Sequence, residues 1–367
     1  MENQQTPKQT EEIAALLSDL FAVNAVYSQN ENIIFSLEYL YDKEQSDKVI
    51  KDRLKTAGYN FKLHQQDENL LLSINPGRKE RIPLVNIILF IATLFTVYFV
   101  PVFLKQTVIS ETLSSAFYNT LRALENGAGL MFTVALISIL LVHEMGHFVA
   151  SRRRQIVTSW PYFIPAPNII GTFGAIIKSK SPFWNRRDLI EVGAAGPIAG
   201  WVVAIFWLVF GLGQSQIVSP DTLSATGEMF FLLEGESVLM KLATLAIVGQ
   251  TQAGQVYYLS EAAFAGWVGL LVTAINLLPI GQLDGGHIMY GLFREKQKIM
   301  GGVAMGLLLF LGFLSPLWWF FAGMGLVFGV NHPPTLNDQR PISRSAFWMA
   351  MISIGIMILS FTPVPFR

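Results

Sequence analysis

The chain contains no cysteine, and this absence narrows the chemistry that is open to it. It excludes disulfide bonds, cysteine-ligated zinc and iron–sulfur clusters, so any bound metal ion must be held by His, Asp or Glu. Charged residues are also scarce: they make up 14% of the 367 residues, whereas about a quarter is usual in a soluble protein. The 26 basic and 26 acidic residues balance, so no excess of positive charge points to a nucleic-acid partner. The low fraction of charged residues, beside a hydrophobic fraction of 52%, indicates a membrane protein.

Residues 1–78 differ from the rest of the chain because they are polar enough to form a soluble domain. Hydrophobic spacing and helix-end signals predict two helices and three strands, at 11–21 and 46–57, and at 32–40, 59–63 and 69–74. We therefore predict a small α/β domain that is suited to binding or docking. No cleavable signal peptide is expected ahead of it, and no catalytic constellation occurs within it.

Long apolar runs dominate residues 79–367 and predict a polytopic membrane domain, since about 20 apolar residues are needed to cross the hydrocarbon of a bilayer. We predict seven transmembrane helices, at 82–104, 128–150, 189–211, 259–281, 298–314, 316–331 and 345–362. The two runs beside Ser315 are short, so they form either a tight helical hairpin or one interrupted element. The predicted fold class is an α-helical integral membrane protein with a small N-terminal α/β domain.

The distribution of charge predicts an orientation. The loop 212–258 has four acidic residues against Lys241 alone, whereas Lys and Arg cluster beside the other span ends. Under the positive-inside rule, all the basic loops fall on the cytoplasmic side if the N-terminal domain does too. The C-terminus is then outside.

The segment 156–182 fits neither a helix nor an aqueous loop. It is too apolar for a loop and is interrupted by several prolines and glycines, including Gly171 and Gly174. Irregular backbone at membrane depth persists where protein or water satisfies its hydrogen bonds. We therefore predict a membrane-embedded strand or hairpin here.

The second predicted span carries His143, Glu144 and His147. On a helix, His143 and His147 lie one turn apart on the same face, so both imidazoles can bind one ion. Glu144 sits beside them and is suited to act on a metal-bound water. Ionisable residues cost free energy in an apolar membrane helix and occur there mainly where they have partners and a function.

The end of the fourth predicted span offers the third ligand that a catalytic zinc site usually has. Residues 276–287 contain Asn276, Pro279, two successive glycines and Asp284. Proline and glycine break the helix there, which allows a carboxylate to turn inward. By the predicted orientation, Asp284 and His147 lie near the same membrane face, so the two halves of a metal site converge.

The chain resembles the site-2 protease family of intramembrane zinc metalloproteases. The resemblance rests on His143-Glu144-x-x-His147, on Asn276-x-x-Pro279-x-x-x-x-Asp284-Gly285, on Gly171–Gly174 and on Gly196–Gly200, and it is strong over about 128–290. The sequence around Asn276 is most similar to that of the cyanobacterial and chloroplast branch of this family. No PDZ domain is visible, because the loop 212–258 is too short to hold one.

The resemblance implies one Zn²⁺ per chain, with His143, His147 and Asp284 as ligands and Glu144 as the catalytic acid–base. It implies that Asn276 assists near the substrate carbonyl, and that Gly171, Thr172, Phe173 and Gly174 form a strand that pairs with unwound substrate. The expected activity is hydrolysis of peptide bonds in or near transmembrane segments of membrane-anchored proteins, which is regulated intramembrane proteolysis. The expected location is a bacterial inner or plasma membrane, with a chloroplast-like membrane as the alternative.

Other interpretations of these residues remain open on sequence alone. A transporter would also place His, Glu and Asp in the membrane, but it is expected to show a repeated pair of broken helices, which we do not find. A haem-binding pair would leave Glu144 and Asp284 without a role, and an inactive scaffold would not need the full set. His287 either joins the metal or lies outside it, and 171–177 can also be an ordinary hairpin. Gly196–Gly200 is interpreted as close helix packing, and His332 as part of a turn.

Overall fold

The computed structural model describes residues 6–365 except 30–31, 57–58, 67–68, 76–81, 155, 157, 180–182, 184, 220–234 and 336. The chain divides into two compact units. The N-terminal unit contains Met1–Ile82 together with Ser151–Ser159 and Lys178–Phe183. The helical unit contains Pro83–Ala150, Trp160–Ile177 and Trp184–Arg367.

The N-terminal unit is an antiparallel sheet with two helices. Its elements are α1 (Thr6–Leu17), β1 (Phe21–Gln29), β2 (Asn32–Tyr39), α2 (Lys43–Thr56), β3 (Asn60–Gln66) and β4 (Asn69–Asn75). The strand order is β1-β2-β4-β3. The sequence predicts an element for each of these except β1, but its helix at 11–21 begins later than α1 and runs on to the first residue of β1. The register of β1 shifts between Val23 and Ala25. That shift interrupts the alternation of inward and outward side chains from which a strand is predicted.

One face of this sheet forms the core of the unit. Ile13, Leu17, Ile50 and Leu54 from the two helices are fully buried with inward residues of the sheet such as Phe35. Each such side chain contributes roughly 1.5–3 kcal/mol on burial. The alternation in β2 and β4 therefore fixes which face the helices cover.

Two segments distant in sequence complete the N-terminal unit. The Lys62 ammonium on β3 donates to the Arg154 carbonyl at 2.8 Å. Thr158 and Ser179 form an antiparallel bridge, and the Ser159 N–H donates to the Lys178 carbonyl at 2.9 Å. The chain therefore enters this unit twice between the helices of the other unit.

The helical unit contains ten α-helices among the described residues. They are α3 (Leu84–Ile109), α4 (Leu113–Glu125), α5 (Leu130–Arg153), α6 (Arg186–Leu212), α7 (Val238–Ile247), α8 (Glu261–Asn276), α9 (Asp284–Phe293), α10 (Gln297–Leu311), α11 (Leu317–Phe328) and α12 (Arg344–Ser360). Two short antiparallel pairs accompany them: β5 (Tyr162–Pro165) with β6 (Thr172–Ile176), and β7 (Gln216–Val218) with β8 (Val256–Tyr258).

Three of these helices, α3, α5 and α6, are long and apolar enough to cross a membrane, within the part of the chain that the structure describes. Four further apolar helices are shorter, at Val238–Ile247, Glu261–Asn276, Leu317–Val327 and Arg344–Ser360. The predicted run 259–281 becomes α8 followed by a loop, because Pro279 and Gly281 end the helical pattern. Seven spans therefore remain a prediction, while a mostly helical fold with an N-terminal sheet is confirmed.

Helix α4 is an element that the sequence analysis did not predict. Its first turn is closed by a capping box, in which the Ser115 N–H donates to Thr112 Oγ1 and the Thr112 N–H donates to Ser115 Oγ. The helix contacts α3 through Phe117 and Phe99, whose ring centroids lie 6.1 Å apart. It is amphipathic rather than apolar throughout, so a search for long apolar runs passes over it.

Small residues bring α6 close to α8. A methyl group on Gly211 would overlap the backbone of Ala263, and one on Gly266 would meet Leu208. A methyl group on Gly269 would lie 2.9 Å from both Ala204 on α6 and Ile139 on α5. Close backbone approach of this kind is how helices associate where no hydrophobic effect drives them together. It places α5, α6 and α8 side by side, and these helices surround the site.

Candidate metal centre

Helix α5 places two histidines and a glutamate in the interior of the helical unit. His143 and Glu144 are only 4% and 5% exposed, and His147 is half-buried one turn further along. The helix ends at Arg153 with two arginines in its last turn. Since His143 lies nine residues before Arg152, roughly 13 Å of helix separates it from this basic end.

The third residue of the site comes from the first position of α9. The loop between α8 and α9 turns at Gly281, which has a φ of 51°. A methyl group at this position would overlap the Gly329 carbonyl. Only glycine adopts this conformation in so little space. The turn directs Asp284 back toward α5, as the sequence predicts.

The donor atoms of these three residues form a compact triangle. His143 Nε2 lies 3.2 Å from His147 Nε2 and 3.3 Å from Asp284 Oδ2, while His147 Nε2 lies 3.3 Å from Asp284 Oδ1. A tetrahedral zinc ion with bonds of about 2.0–2.1 Å sets its ligand atoms roughly 3.3–3.4 Å apart. The residues present therefore fit a zinc ion, with two imidazoles and one carboxylate as ligands.

The other ring nitrogen of His147 has its own partner. Nδ1 lies 2.8 Å from the Val192 carbonyl on α6, and a carbonyl oxygen can only accept, so Nδ1 carries the hydrogen. Nε2 of the neutral ring is then the nitrogen with the lone pair, which is the form that binds a metal. The sequence could not predict Val192, because a backbone carbonyl has no residue signature.

Glycines on α6 make room for the ligand side chains. A methyl group on Gly196 would overlap His147 Nε2, and one on Gly200 would lie 2.9 Å from the Cβ atom of His143. Gly193 faces α9 in the same way, since a methyl group there would lie 2.9 Å from the Cβ atom of His287. The sequence interpretation of this stretch as close packing agrees with these contacts, and the partners include both histidines of the triangle.

Asn276 ends α8 beside the triangle. Its side-chain nitrogen Nδ2 lies 3.5 Å from His143 Nε2, so the amide borders the position of the ion. Glu144 lies on the turn between the two histidines. The arrangement therefore brings together all five residues that the sequence indicates, His143, Glu144, His147, Asn276 and Asp284.

A strand is present at the predicted place as one arm of the β5–β6 hairpin, while its position in the membrane and its binding of substrate stay predictions. Asn86 on α3 is buried and donates to the Trp160 and Pro161 carbonyls, at 3.1 and 2.8 Å, just before β5. Gly171, in the turn, has a φ of 77° and no space for a methyl group against α3. Thr172, Phe173 and Gly174 form the first part of β6. The hairpin is thus tied to the first long helix.

His287 is not part of the triangle of donor atoms among the described residues. Its Nδ1 lies 2.6 Å from Nε2 of His332, which follows α11. Gln297, Asp338 and the segment near His332 also contact the elements around Asp284, and the sequence analysis did not identify them as such. Polar residues in a loop far along the chain carry no periodic signal that would point to this contact.

Comparison with known proteins agrees with this geometry. The model of peptidase family M50 matches residues 131–315. A probable chloroplastic zinc metalloprotease EGY1 of Arabidopsis thaliana is 32% identical over 65% of this chain and 43% of its own length. Its Oryza sativa subsp. japonica counterpart is 31% identical over 62% and 40%, and EGY2 of Oryza sativa subsp. indica is 31% identical over 75% and 49%. The chain therefore spans less than half the length of each of these three relatives.

The matched region of the family model contains the whole triangle, Asn276 and the β5–β6 hairpin. The relatives are named as zinc metalloproteases, in keeping with a ligand set of two histidines and one aspartate. The chain belongs to peptidase family M50, the site-2 protease family of zinc metalloproteases.

Proposed function

We propose that this protein is an intramembrane zinc metalloprotease that hydrolyses peptide bonds in or near the transmembrane segments of membrane-anchored proteins. The observation that carries the proposal is the triangle of His143, His147 and Asp284 donors at 3.2–3.3 Å, in which both histidines lie on α5, a helix long and apolar enough to cross a membrane. His143, His147 and Asp284 hold the ion in this proposal. When bound, zinc supplies a Lewis acid that polarises the scissile carbonyl and makes water a better nucleophile at neutral pH.

Glu144 acts as the acid–base in this mechanism. It takes a proton from the attacking water and passes it to the nitrogen of the leaving amine, so that the peptide bond breaks without a charged amide leaving group. The burial of Glu144 beside the histidines supports this role, because a carboxylate in an apolar membrane helix is usually functional. Asn276 presents its amide N–H group beside His143 and can donate to the oxygen of the carbonyl under attack.

We propose that β6 binds the substrate. A transmembrane helix hides its peptide groups in its own hydrogen bonds, so it must unwind before it is cut. In the described part of the chain, β6 pairs with β5 alone, so its outer edge can take up an extended segment by strand addition. Gly174 supports this proposal, since open space lies where a side chain would project and a second backbone can approach closely.

We further propose an orientation and a role for the N-terminal domain, residues 1–78. The apolar runs favour seven membrane spans, and the basic residues beside their ends favour a cytoplasmic N-terminus. The soluble domain then lies on the cytoplasmic side of the membrane, where it can act as a docking module. A bacterial inner or plasma membrane is the proposed location. The chloroplastic relatives make a chloroplast-like membrane the alternative.

Cleavage by the purified protein in lipid vesicles tests the proposed activity. A single-span substrate is incubated with wild type, Glu144→Gln, Asp284→Asn and the control Glu125→Gln, which alters an exposed carboxylate at the end of α4. Glu144→Gln is expected to lose about 10²–10⁴-fold in rate while keeping zinc. Asp284→Asn is expected to lose both, and Glu125→Gln neither.

A result in which Glu144→Gln cuts as fast as wild type would remove the glutamate from the mechanism. If the wild type binds zinc and transports it across the vesicle membrane without cutting, the transporter interpretation is correct instead. Equal zinc content in wild type and a His143→Ala, His147→Ala double variant would place the ion elsewhere.

A further inference from the structure

A segment after α11 follows helix α9 along its length. We call residues 329–335 and 337–340 the strap. Helix α9 has ten residues and begins with Asp284, and its N-cap residue, Leu283, makes no side-chain capping bond. Helices this short are marginal by themselves, so the position of Asp284 depends on what packs against α9 and the loop before it.

The strap is attached first at the loop that precedes Asp284. The buried Gln297 side chain donates through Nε2 to the Pro279 and Val330 carbonyls, both at 3.0 Å, and accepts the His332 N–H through Oε1 at 3.1 Å. The Gly281 N–H donates to the Val330 carbonyl at 2.9 Å. One amide side chain therefore joins the loop, the strap and α10.

The second attachment is a pair of histidines. His332 Nδ1 lies 2.5 Å from the Pro333 carbonyl, which can only accept, so this nitrogen carries a hydrogen. In a neutral ring, His332 Nε2 then accepts, and the 2.6 Å contact is a hydrogen bond donated by His287 Nδ1. His287 is three residues after Asp284, on the same face of α9.

The third attachment lies nearer the end of α9. The Tyr290 hydroxyl donates to Asp338 Oδ2 at 2.6 Å, and the Thr335 hydroxyl donates to Oδ1 of the same carboxylate at 2.6 Å. Arg186 on α6 donates to the Gly291 and Arg340 carbonyls, both at 3.2 Å. The strap is thus bonded at three successive levels, from the loop before Asp284 to the end of the helix.

We propose that His332 is a positioning residue for the metal site: through its bond to His287 it holds the first turn of α9 where the Asp284 carboxylate reaches both histidines of α5. This inference rests on the proposed zinc site but not on the proposed cleavage. Neither His332 nor the strap belongs to the triangle of donor atoms. Groups that orient a metal ligand from outside typically change metal affinity about 10- to 100-fold when they are lost.

Two substitutions of His332 separate positioning from folding. His332→Phe keeps a ring beside Tyr290, 4.7 Å between centroids in the wild type, but offers no acceptor to His287. His332→Gln can place an oxygen near the position of Nε2 and accept the same hydrogen bond. Asn331→Ala, at the exposed neighbouring residue, is the matched control.

Zinc affinity is measured for the purified full-length variants by competition with a chelator, together with kcat and KM on a single-span substrate and the midpoint of thermal unfolding. His332→Phe is expected to bind zinc about 10- to 100-fold more weakly, with a lower kcat and an unchanged KM. His332→Gln is expected to recover affinity to within about threefold of wild type, and Asn331→Ala to match wild type.

The proposal is overturned if His332→Phe binds zinc as tightly as wild type, or if His332→Gln is as impaired as His332→Phe. Nitrogen-15 NMR of histidine-labelled wild type gives an answer even if a variant does not fold: His287 must be protonated at Nδ1, and a bare Nδ1 there overturns the proposal. If the variants show the expected zinc affinities but the wild type cuts no substrate, the proposed protease activity is refuted and the positioning role still holds.

Discussion

At the scale of single residues, the metal site was predictable where side chains carry the information. His143 and His147 were predicted to share one site from their spacing and their place in an apolar run, because residues four apart share one face of a helix, and the structure brings their rings together. Asp284 was predicted because proline and glycine break the helix within residues 276–287, which lets its carboxylate turn inward. The Val192 carbonyl and the strap were not predictable, because the first is backbone and the second meets α9 only through tertiary folding.

Gly196 provides a prediction at this scale. Gly196→Ala places a methyl group onto His147 Nε2, the atom proposed to bind the ion, so the ring must leave the site or α6 must shift. We expect zinc affinity to fall at least about 100-fold and cleavage to be lost, since one of three ligands is displaced. Metal content after dialysis and a cleavage assay measure both effects.

The control for Gly196→Ala is Gly302→Ala on α10, where a methyl group meets no atom within 4 Å. This change replaces glycine with a better helix former and is expected to leave zinc binding intact. Normal zinc content in Gly196→Ala would show that α6 and α5 can separate, and that the close contact does not limit the site.

At the scale of elements, the β5–β6 hairpin shows what a pattern of prolines and glycines can predict. The sequence indicates extended structure over 156–182, and the hairpin is present. Its anchor was not predicted: Asn86 stands alone in an apolar run, and nothing in the run indicates that its amide meets carbonyls more than seventy residues away.

The bond from Asn86 predicts an effect on substrate handling. Asn86→Leu removes the amide group that donates hydrogen bonds to the Trp160 and Pro161 carbonyls. Both carbonyls lose this partner, so the start of β5 is expected to become less ordered. We expect kcat/KM to fall about tenfold, with zinc content unchanged, because an unmet buried hydrogen bond costs roughly 1–3 kcal/mol. The same exchange at the exposed Asn119 of α4 is the control. Loss of zinc in Asn86→Leu would contradict a role confined to the hairpin.

The proposed substrate strand can be tested by cross-linking, since the chain has no cysteine to interfere. Phe173 on β6 is 59% exposed, so Phe173→Cys places a thiol beside the proposed path of the substrate. In the inactive Glu144→Gln background, with copper phenanthroline added as the oxidant, this thiol is expected to form a disulfide with a cysteine near the cleavage site of a single-span substrate. Ile358→Cys, equally exposed on α12, should not. Equal cross-linking at both positions would count against strand addition by β6.

At the scale of the whole molecule, the two units differ in how well the sequence describes them. The N-terminal unit follows local patterns of alternation and helix spacing, so all but one of its elements were predicted. In the helical unit, apolar composition identifies α3, α5 and α6, but shorter helices such as α8 end where proline and glycine break them. Hydropathy gives the number of apolar runs, whereas helix length depends on those breaks.

The proposed topology makes the last prediction, which concerns where each loop lies. Single cysteines are introduced at Glu44, Gln252 and Lys298, which are exposed positions in the N-terminal unit, the loop before α8 and the start of α10. Intact cells are treated with a membrane-impermeant maleimide. With the N-terminus cytoplasmic and seven spans, only Gln252→Cys is labelled from outside, because an odd number of crossings separates it from the other two. Labelling of Glu44→Cys would reverse the orientation, and equal labelling of Gln252→Cys and Lys298→Cys would mean that α8 and α9 together do not cross the membrane.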